Sequence, residues 1–267
     1  MYREGSKQAR LAASILLFFI VFGLWQIYDL VMIHFQPSGL LIDIFHLSIW
    51  VLCLAAFAIF VKLGRSSFGE HGFKKPINIG RCVSLSIFSI VIFLIIVTVP
   101  GFMFEFTSPT IRLTVALVVF NVANAVLASL ATESIFRGYI FKNLLKNHGF
   151  FTSLYASSIL FSLHQISINN LLTMSHDQLV TYIFTDIAPL FAAGLFLGYL
   201  FYKTQWSLLG PVLFRAGYLL YFFFPLVLAT MPWWVNLTFI VSAYAILIIF
   251  VDSAIKEPIF LRKKYGL

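Results

Sequence analysis

Four ionisable side chains lie inside long apolar runs of the sequence: Glu133, Arg137, His164 and Arg215. A charge at the centre of a bilayer costs about 2.5–3.5 kcal/mol on insertion scales, so such residues are candidates for function. Glu133 and Arg137 are four residues apart, so they share one helix face and can pair. A carboxylate, an arginine and a histidine that converge on one cavity suit proton transfer or metal-assisted attack by water.

Each of these residues also has a purely structural interpretation. A Glu133–Arg137 pair neutralises itself, which lets a helix enter the membrane without any chemistry. A lone histidine such as His164 is more often a hydrogen-bonded core residue than a ligand. Asn121 and Asn124, on the same apolar run as Glu133, are expected to form hydrogen bonds between helices. Convergence of the set on one cavity decides between the two interpretations.

The composition assigns the chain to the membrane proteins. Of its 267 residues, 61% are hydrophobic and only 10% are charged, and the mean hydropathy is +0.96. A soluble chain of this length could not bury so much apolar surface in one core, whereas a bilayer accepts it as solvent. The net charge of +8 does not indicate nucleic-acid binding, because the cations lie in short gaps between apolar runs. Cys53 and Cys82 lie within such runs, as small core residues do.

The apolar runs predict an all-α, polytopic transmembrane helical bundle with about eight spans. A span needs about 20 predominantly apolar residues. The predicted spans are 11–33, 42–63, 82–100, part of 113–145, 151–168, 183–202, 208–229 and 233–251. No soluble domain interrupts them, since the longest polar gap covers only residues 64–81.

Lysine and arginine occur in alternate gaps between the predicted spans. Four gaps contain neither residue: 34–41, 101–110, 169–181 and 230–233. The basic residues precede the first span, follow the second, fourth and sixth spans, and end the chain. The positive-inside rule then predicts a multi-pass protein of the plasma membrane with both termini in the cytoplasm. The first span is predicted to be an uncleaved signal anchor.

Several stretches resemble the CAAX-protease and bacteriocin-processing family of membrane proteins, called CPBP or Abi. Residues 132–139, TESIFRGY, resemble its E-E-x-x-x-R-G-Y signature. Residues 157–164, SSILFSLH, look like its F-x-x-x-H motif, and residues 194–213 look like the next helix pair, which in the family continues into H-x-x-x-N. The loop at 68–76 is similar to the linker before the family core. The resemblance covers roughly residues 64–225.

The resemblance implies an intramembrane peptidase. In characterised members, glutamates and histidines around a cytosol-facing cavity activate water to cut a peptide, as in the maturation of prenylated CAAX proteins. By this resemblance Glu133, His164 and Arg137 occupy catalytic positions. His164 is then a candidate ligand for a divalent metal, which is implied only if the protein is active. The sequence does not distinguish metal-bound water from glutamate-activated water, and it indicates no other cofactor.

The departures from the family motifs fall on the groups that would activate water. The first glutamate of the signature is replaced by Thr132, and the second histidine by Arg215. The phenylalanine of the second motif falls on Leu160, and the asparagine after the second histidine falls on Leu219. Threonine is not a general base near neutral pH, and a protonated guanidinium neither binds a metal nor accepts a proton. Arg215 could instead pair with Glu133, with Arg137 as a third member.

Three functional hypotheses follow. The first is a CPBP-type protein without full peptidase activity, which acts as a scaffold, regulator or bacteriocin-immunity-type factor on another membrane or envelope protein. The second is an active CAAX-type endopeptidase that uses Glu133 and His164. The third is a small transporter. Against it, the sequence lacks the internal repeats and paired broken helices that are typical of that class. The predicted organisation is a two-span region at 1–63, the core at 64–229, and a last span with a basic tail at 230–267.

The relative depths of His164 and Glu133 depend on where the fifth span begins. A straight fifth span beginning at His148 would carry His164 deeper into the membrane than Glu133, because each helical residue rises about 1.5 Å. Either that span begins later, or the two side chains do not meet.

Overall fold

The computed structural model describes residues 4–36, 40–76, 78–98, 106–107, 115–223, 228–229 and 233–255, which are almost wholly helical. The α-helices are α1 (Glu4–Phe35), α2 (Leu40–Leu63), α3 (Ile79–Thr98), α4 (Val115–Glu133), α5 (Lys142–Leu145), α6 (Phe150–Leu163), α7 (Ile168–Thr173), α8 (His176–Tyr182), α9 (Ala188–Lys203), α10 (Leu209–Phe223) and α11 (Trp233–Ala254). A 3-10 helix spans Phe68–His71, and π-helical segments span Ser134–Phe141 and Ile183–Ile187. Two short strands, β1 (Phe106–Thr107) and β2 (Leu228–Ala229), pair antiparallel. The predicted all-α class is confirmed.

Six helical segments within the described residues are long and apolar enough to cross a membrane, judged by length and composition. They are Lys7–Phe35, Leu41–Leu63, Ile79–Thr98, Val118–Leu145, His176–Lys203 and Leu237–Ala254. Two shorter apolar helices, Phe150–Leu163 and Leu209–Leu220, lie where the fifth and seventh spans were predicted. Six long and two short segments agree with the expected count of about eight. Arg3, Pro100 and the basic tail at 256–267 lie outside the described residues.

The helices that carry the candidate residues pack against one another. α4 lies between α2 and α10, and α6 packs along α9. α10 also contacts α3, while α11 closes against α3 and α9. α1 packs on α2 at the edge of this group. The π-helical segment that continues α4 contacts α6 and α9, so α4, α6, α9 and α10 surround one common region.

The polar gap between α2 and α3 folds back onto the helical core. Ser67 begins its 3-10 helix with a capping box that includes Glu70, the pattern that satisfies free N–H groups at a helix start. Gly72 ends it with φ +96°, a left-handed conformation that favours glycine. The backbone N–H of Leu208 then donates to the Gly72 carbonyl over 3.0 Å. The loop is therefore bonded directly to the chain at the start of α10.

Candidate functional site

The helix that carries Glu133 widens into a π-helical segment one residue later. All eight residues of Ser134–Phe141 are buried. Such segments occur frequently at functional sites, because an extra residue in a turn re-aims the side chains that follow. Close packing holds it in place, since a Cβ atom on Gly138 would lie 2.5 Å from the His71 carbonyl oxygen. The segment presents Arg137 to the region enclosed by α6, α9 and α10.

Glu133 and Arg137 form the ion pair that their spacing predicts. Nε of Arg137 lies 3.5 Å from Oε2 of Glu133, and both side chains are completely buried. The contact has ion-pair distance, but it is not a hydrogen bond, and neither oxygen of Glu133 accepts one from the described residues. Arg137 is held elsewhere too: Nη2 donates to the Gly194 carbonyl over 3.1 Å, and its guanidinium lies 4.4 Å from the centroid of the Phe161 ring.

His164 lies immediately after the last residue of α6 and is buried. Its Nδ1 contacts the carbonyl oxygen of Phe161. Because a carbonyl only accepts, Nδ1 carries the proton, and Nε2 of the neutral ring is left as an acceptor. Nε2 is buried and has no hydrogen-bond partner among the described residues. The ring packs 4.7 Å from Phe136 and 5.5 Å from Phe161, between centroids.

Arg215 reaches the same place from α10. Its guanidinium lies 4.5 Å from the centroid of the Phe161 ring. The Phe161 ring therefore makes cation–π contacts with both Arg137 and Arg215. It is attracted by Glu133, and it repels Arg137. No carboxylate among the described residues is within ion-pair distance of it. The expected Glu133–Arg215 pair is thus a longer-range attraction, and the ion pair itself is with Arg137.

These four residues do converge, through Phe136 and Phe161. The helix α6 begins at Phe150, two residues after His148, and ends one residue before His164. The cluster combines one carboxylate, two guanidiniums and one imidazole, and it is buried throughout. Its formal charge with a neutral histidine is therefore positive. We name this set, Glu133, Arg137, His164 and Arg215, the polar cluster.

The remaining predicted site positions are engaged differently. The Thr132 hydroxyl donates to the Ala128 carbonyl over 2.7 Å, so it is bonded within its own helix. Asn124 accepts a hydrogen bond of 2.9 Å from the Trp50 indole, which joins α4 to α2 as expected for an interhelical asparagine. Asn121 is partly exposed, and no contact places it in the polar cluster. Across the described part of the chain, no three His, Cys, Asp or Glu side chains group as a metal site needs.

Sequence reasoning missed two groups that position the cluster. Gln26 of α1 binds the loop after His164 at two points: its Nε2 donates to the Ile166 carbonyl over 2.6 Å, and its Oε1 accepts from the Ile168 N–H over 2.9 Å. Asp29, one turn further on, accepts a hydrogen bond from the Ser167 hydroxyl. A glutamine inside an apolar run was the available signal, but nothing in the sequence indicated a partner 140 residues away.

His71 forms the second missed group. It is buried, its Nδ1 lies 2.9 Å from the Gly138 carbonyl oxygen, and its ring stacks on Tyr139. Its Nε2 lies 2.7 Å from the Ser66 hydroxyl. Burial lowers the pKa of His71 below its ordinary value, and the bond to Gly138 partly opposes that change. His71 therefore ties the polar loop to the π-helical segment.

The comparison with protein families agrees with this geometry. Residues 114–221 match the family model described as type II CAAX prenyl endopeptidase Rce1-like. The match covers α4, α6, α9 and most of α10, which are the elements that carry the polar cluster. The resemblance expected from the motifs is confirmed over this core. No curated protein matches the chain.

Proposed function

We propose that this membrane protein, whose residues 114–221 form an Rce1-like core, keeps the site of a CAAX endopeptidase as a binding site and does not cleave peptides. Its role is that of a scaffold, regulator or bacteriocin-immunity-type factor that binds another membrane or envelope protein. The observation that carries this proposal is Arg215, which brings a second guanidinium onto the ring shared with Arg137.

The chemistry of the cluster supports loss of hydrolysis. General-base attack needs a carboxylate or imidazole that can take a proton from water. The cluster supplies one carboxylate where the family signature has two glutamates, and Nε of Arg137 already lies 3.5 Å from it. The Thr132 hydroxyl donates to its own helix, so it does not replace the missing glutamate.

Metal chemistry fits this donor set poorly. A catalytic zinc site takes about three protein ligands, whereas the cluster supplies one carboxylate and one imidazole. A dication placed between them would also be repelled by Arg137 and Arg215. The proposal therefore assigns no metal to His164.

The second candidate function is an active endopeptidase with a rearranged site. The observation that favours it is the imidazole of His164, whose Nε2 is buried and has no partner among the described residues. In that mechanism Glu133 would act as the base and His164 would hold or polarise the water. Both candidates require the cluster, and they differ in whether a peptide bond is cut.

A cleavage assay tests the proposal. The purified full chain is incubated in detergent with fluorogenic peptides that carry a free or a prenylated cysteine near the C-terminus. An active Rce1-type enzyme serves as the positive control. We expect no turnover from the native chain. Turnover that disappears in both Glu133→Gln and His164→Ala would refute the proposal and establish the second candidate.

The membrane placement is a further part of the proposal. The alternation of basic gaps favours a plasma-membrane protein with both termini in the cytoplasm. Fusions of a periplasm-active phosphatase or a fluorescent protein to the C-terminus test this: we expect fluorescence without phosphatase activity. Phosphatase activity at the C-terminus would reverse the orientation. The proposed division into 1–63, 64–229 and 230–267 is tested by the boundaries of limited proteolysis.

A further inference from the structure

Arg215 is an arginine without a hydrogen-bond acceptor among the residues that the structure describes. A guanidinium carries five N–H donors and no acceptor. The Nε atom of Arg215 is fully buried and unpartnered, and no described carboxylate lies within ion-pair distance of the side chain. Burial of an ion without hydrogen bonds is strongly unfavourable, so such groups are normally paired.

The surrounding charges do not remove this deficit. Glu133 is the carboxylate of the cluster, and Arg137 already lies 3.5 Å from it. Arg215 and Arg137 each contact the Phe161 ring, and their like charges repel each other. The imidazole of His164 is either neutral or positively charged, so it supplies no compensating negative charge. With a neutral histidine the cluster therefore holds one uncompensated positive charge.

Arg215 is also the most accessible member of the cluster. It is 3% exposed, whereas Glu133 and Arg137 are 0% exposed and His164 is 1% exposed. Arg215 is therefore buried but not wholly enclosed. Its neighbours are aromatic: Phe161 lies under the guanidinium, and Tyr218 and Tyr244 interact with it electrostatically. An approaching ligand would meet one cation and apolar rings.

We infer that the polar cluster is a binding site for a monovalent carboxylate on an apolar ligand, with Arg215 as the recognition residue. One negative charge balances the cluster, and a planar carboxylate matches the parallel N–H groups of a guanidinium. The free lone pair on Nε2 of His164 offers an acceptor to an amide N–H beside that carboxylate. This inference deepens the proposed function, because it names the chemistry that the retained site would bind.

Matched ligands test the inference by isothermal titration calorimetry on the purified full chain. N-acetyl-leucine and N-acetyl-leucinamide have the same body and differ in the carboxylate. We expect the acid to bind about tenfold or more tightly than the amide, because the amide lacks the charge. Sodium chloride is added in a third titration, to test whether a simple anion displaces the acid. Equal affinity for acid and amide, or displacement of the acid by chloride at equal concentration, overturns the inference.

Variants assign the effect to Arg215. Arg215→Gln should weaken binding of the acid about tenfold or more, and Arg215→Lys should weaken it less, because it keeps the charge but loses the planar fork. Arg81→Gln is the matched control, since Arg81 is an exposed arginine that donates to the Ala254 carbonyl. It should bind as the native chain does. If Arg215→Gln does not fold, Arg215→Lys carries the test, and unchanged binding in Arg215→Lys and Arg215→Gln overturns the inference.

A third comparison identifies the source of the carboxylate. An apolar tripeptide with a free C-terminus is titrated beside N-acetyl-leucine, each with its amide. Tighter binding of the tripeptide assigns the site to a polypeptide chain end, and tighter binding of N-acetyl-leucine assigns it to a small organic acid. Either order supports carboxylate recognition if the amides bind weakly. Failure of this binding leaves the cleavage assay unaffected, so the two proposals fail separately.

Discussion

Replacing Glu133 by glutamine removes the only negative charge of the polar cluster. The cluster then holds two guanidiniums on one aromatic ring with no counterion. Removal of one partner from a buried ion pair typically costs about 3–5 kcal/mol. The Coulomb energy agrees, since two unit charges 4 Å apart interact by about 4 kcal/mol at an effective dielectric constant of 20. We therefore expect Glu133→Gln to destabilise the protein by about 3–5 kcal/mol.

Arg215→Met should leave the stability of the protein unchanged or raise it, in contrast to Glu133→Gln. It removes the uncompensated cation and leaves the Glu133–Arg137 pair intact. Replacing buried ionic groups with apolar side chains of similar volume is often neutral or stabilising by about 1–4 kcal/mol. A double variant that combines Glu133→Gln with Arg215→Met should therefore recover part of the stability that Glu133→Gln alone loses. A residue that lowers stability while it completes a binding site is expected where function opposes stability.

Thermal unfolding measured with a thiol-reactive dye is suited to this comparison. Cys53 and Cys82 are free and buried, so they react only when the helices separate. At this chain length about 1 kcal/mol corresponds to about 2 °C. Glu133→Gln should lower the melting temperature by about 6–10 °C, and Arg215→Met should leave it unchanged or raise it. A larger loss in Arg215→Met than in Glu133→Gln would show that our charge balance is wrong.

Three further predictions concern the groups around the cluster. Gly138→Ala should lower the melting temperature by several degrees, because its Cβ atom would lie 2.5 Å from the backbone oxygen of His71; Gly23→Ala, which meets nothing within 4 Å, should be tolerated. Because burial lowers the pKa of His71, the unfolded chain binds the proton more readily, so stability should fall as pH drops below about 6.5. His71→Gln should flatten that pH dependence in melting curves between pH 5 and 7.5, and an unchanged slope would exclude His71 as its source. Gln26→Ala should speed hydrogen exchange at residues 166–168 without changing exchange in α9, whereas uniform acceleration would indicate general destabilisation.

The membrane-spanning architecture could be predicted from the sequence because hydropathy and charge act locally. Apolar runs mark the six long segments and the two shorter helices, and the spacing of four residues predicted the Glu133–Arg137 ion pair. The predicted ends of the individual spans were less accurate than their number. The fifth span was predicted to reach residue 168, yet α6 ends at Leu163, and Gln26 bonds to Ile166 and to Ile168, the first residue of α7.

The remaining features of the site depend on contacts between distant parts of the chain. The π-helical turn at Ser134–Phe141 depends on close packing of Gly138 against the loop that carries His71. The pairing of Glu133 with Arg137 in preference to Arg215 depends on how α10 packs on α4, which no local pattern encodes. Gln26 appeared to be an isolated polar residue because its partners lie 140 residues later.

That separation has a consequence for biogenesis. The same distance of 140 residues joins Lys7 to Asn147, whose side-chain amide donates to the Lys7 carbonyl. α1 thus bonds to residues that are synthesised about 7–28 s later, at ordinary synthesis rates of about 5–20 residues per second. Until then the amide of Gln26 has to find water, lipid headgroups or an insertion chaperone. A truncated chain that ends before residue 166 would therefore leave the Gln26 amide without either of these partners.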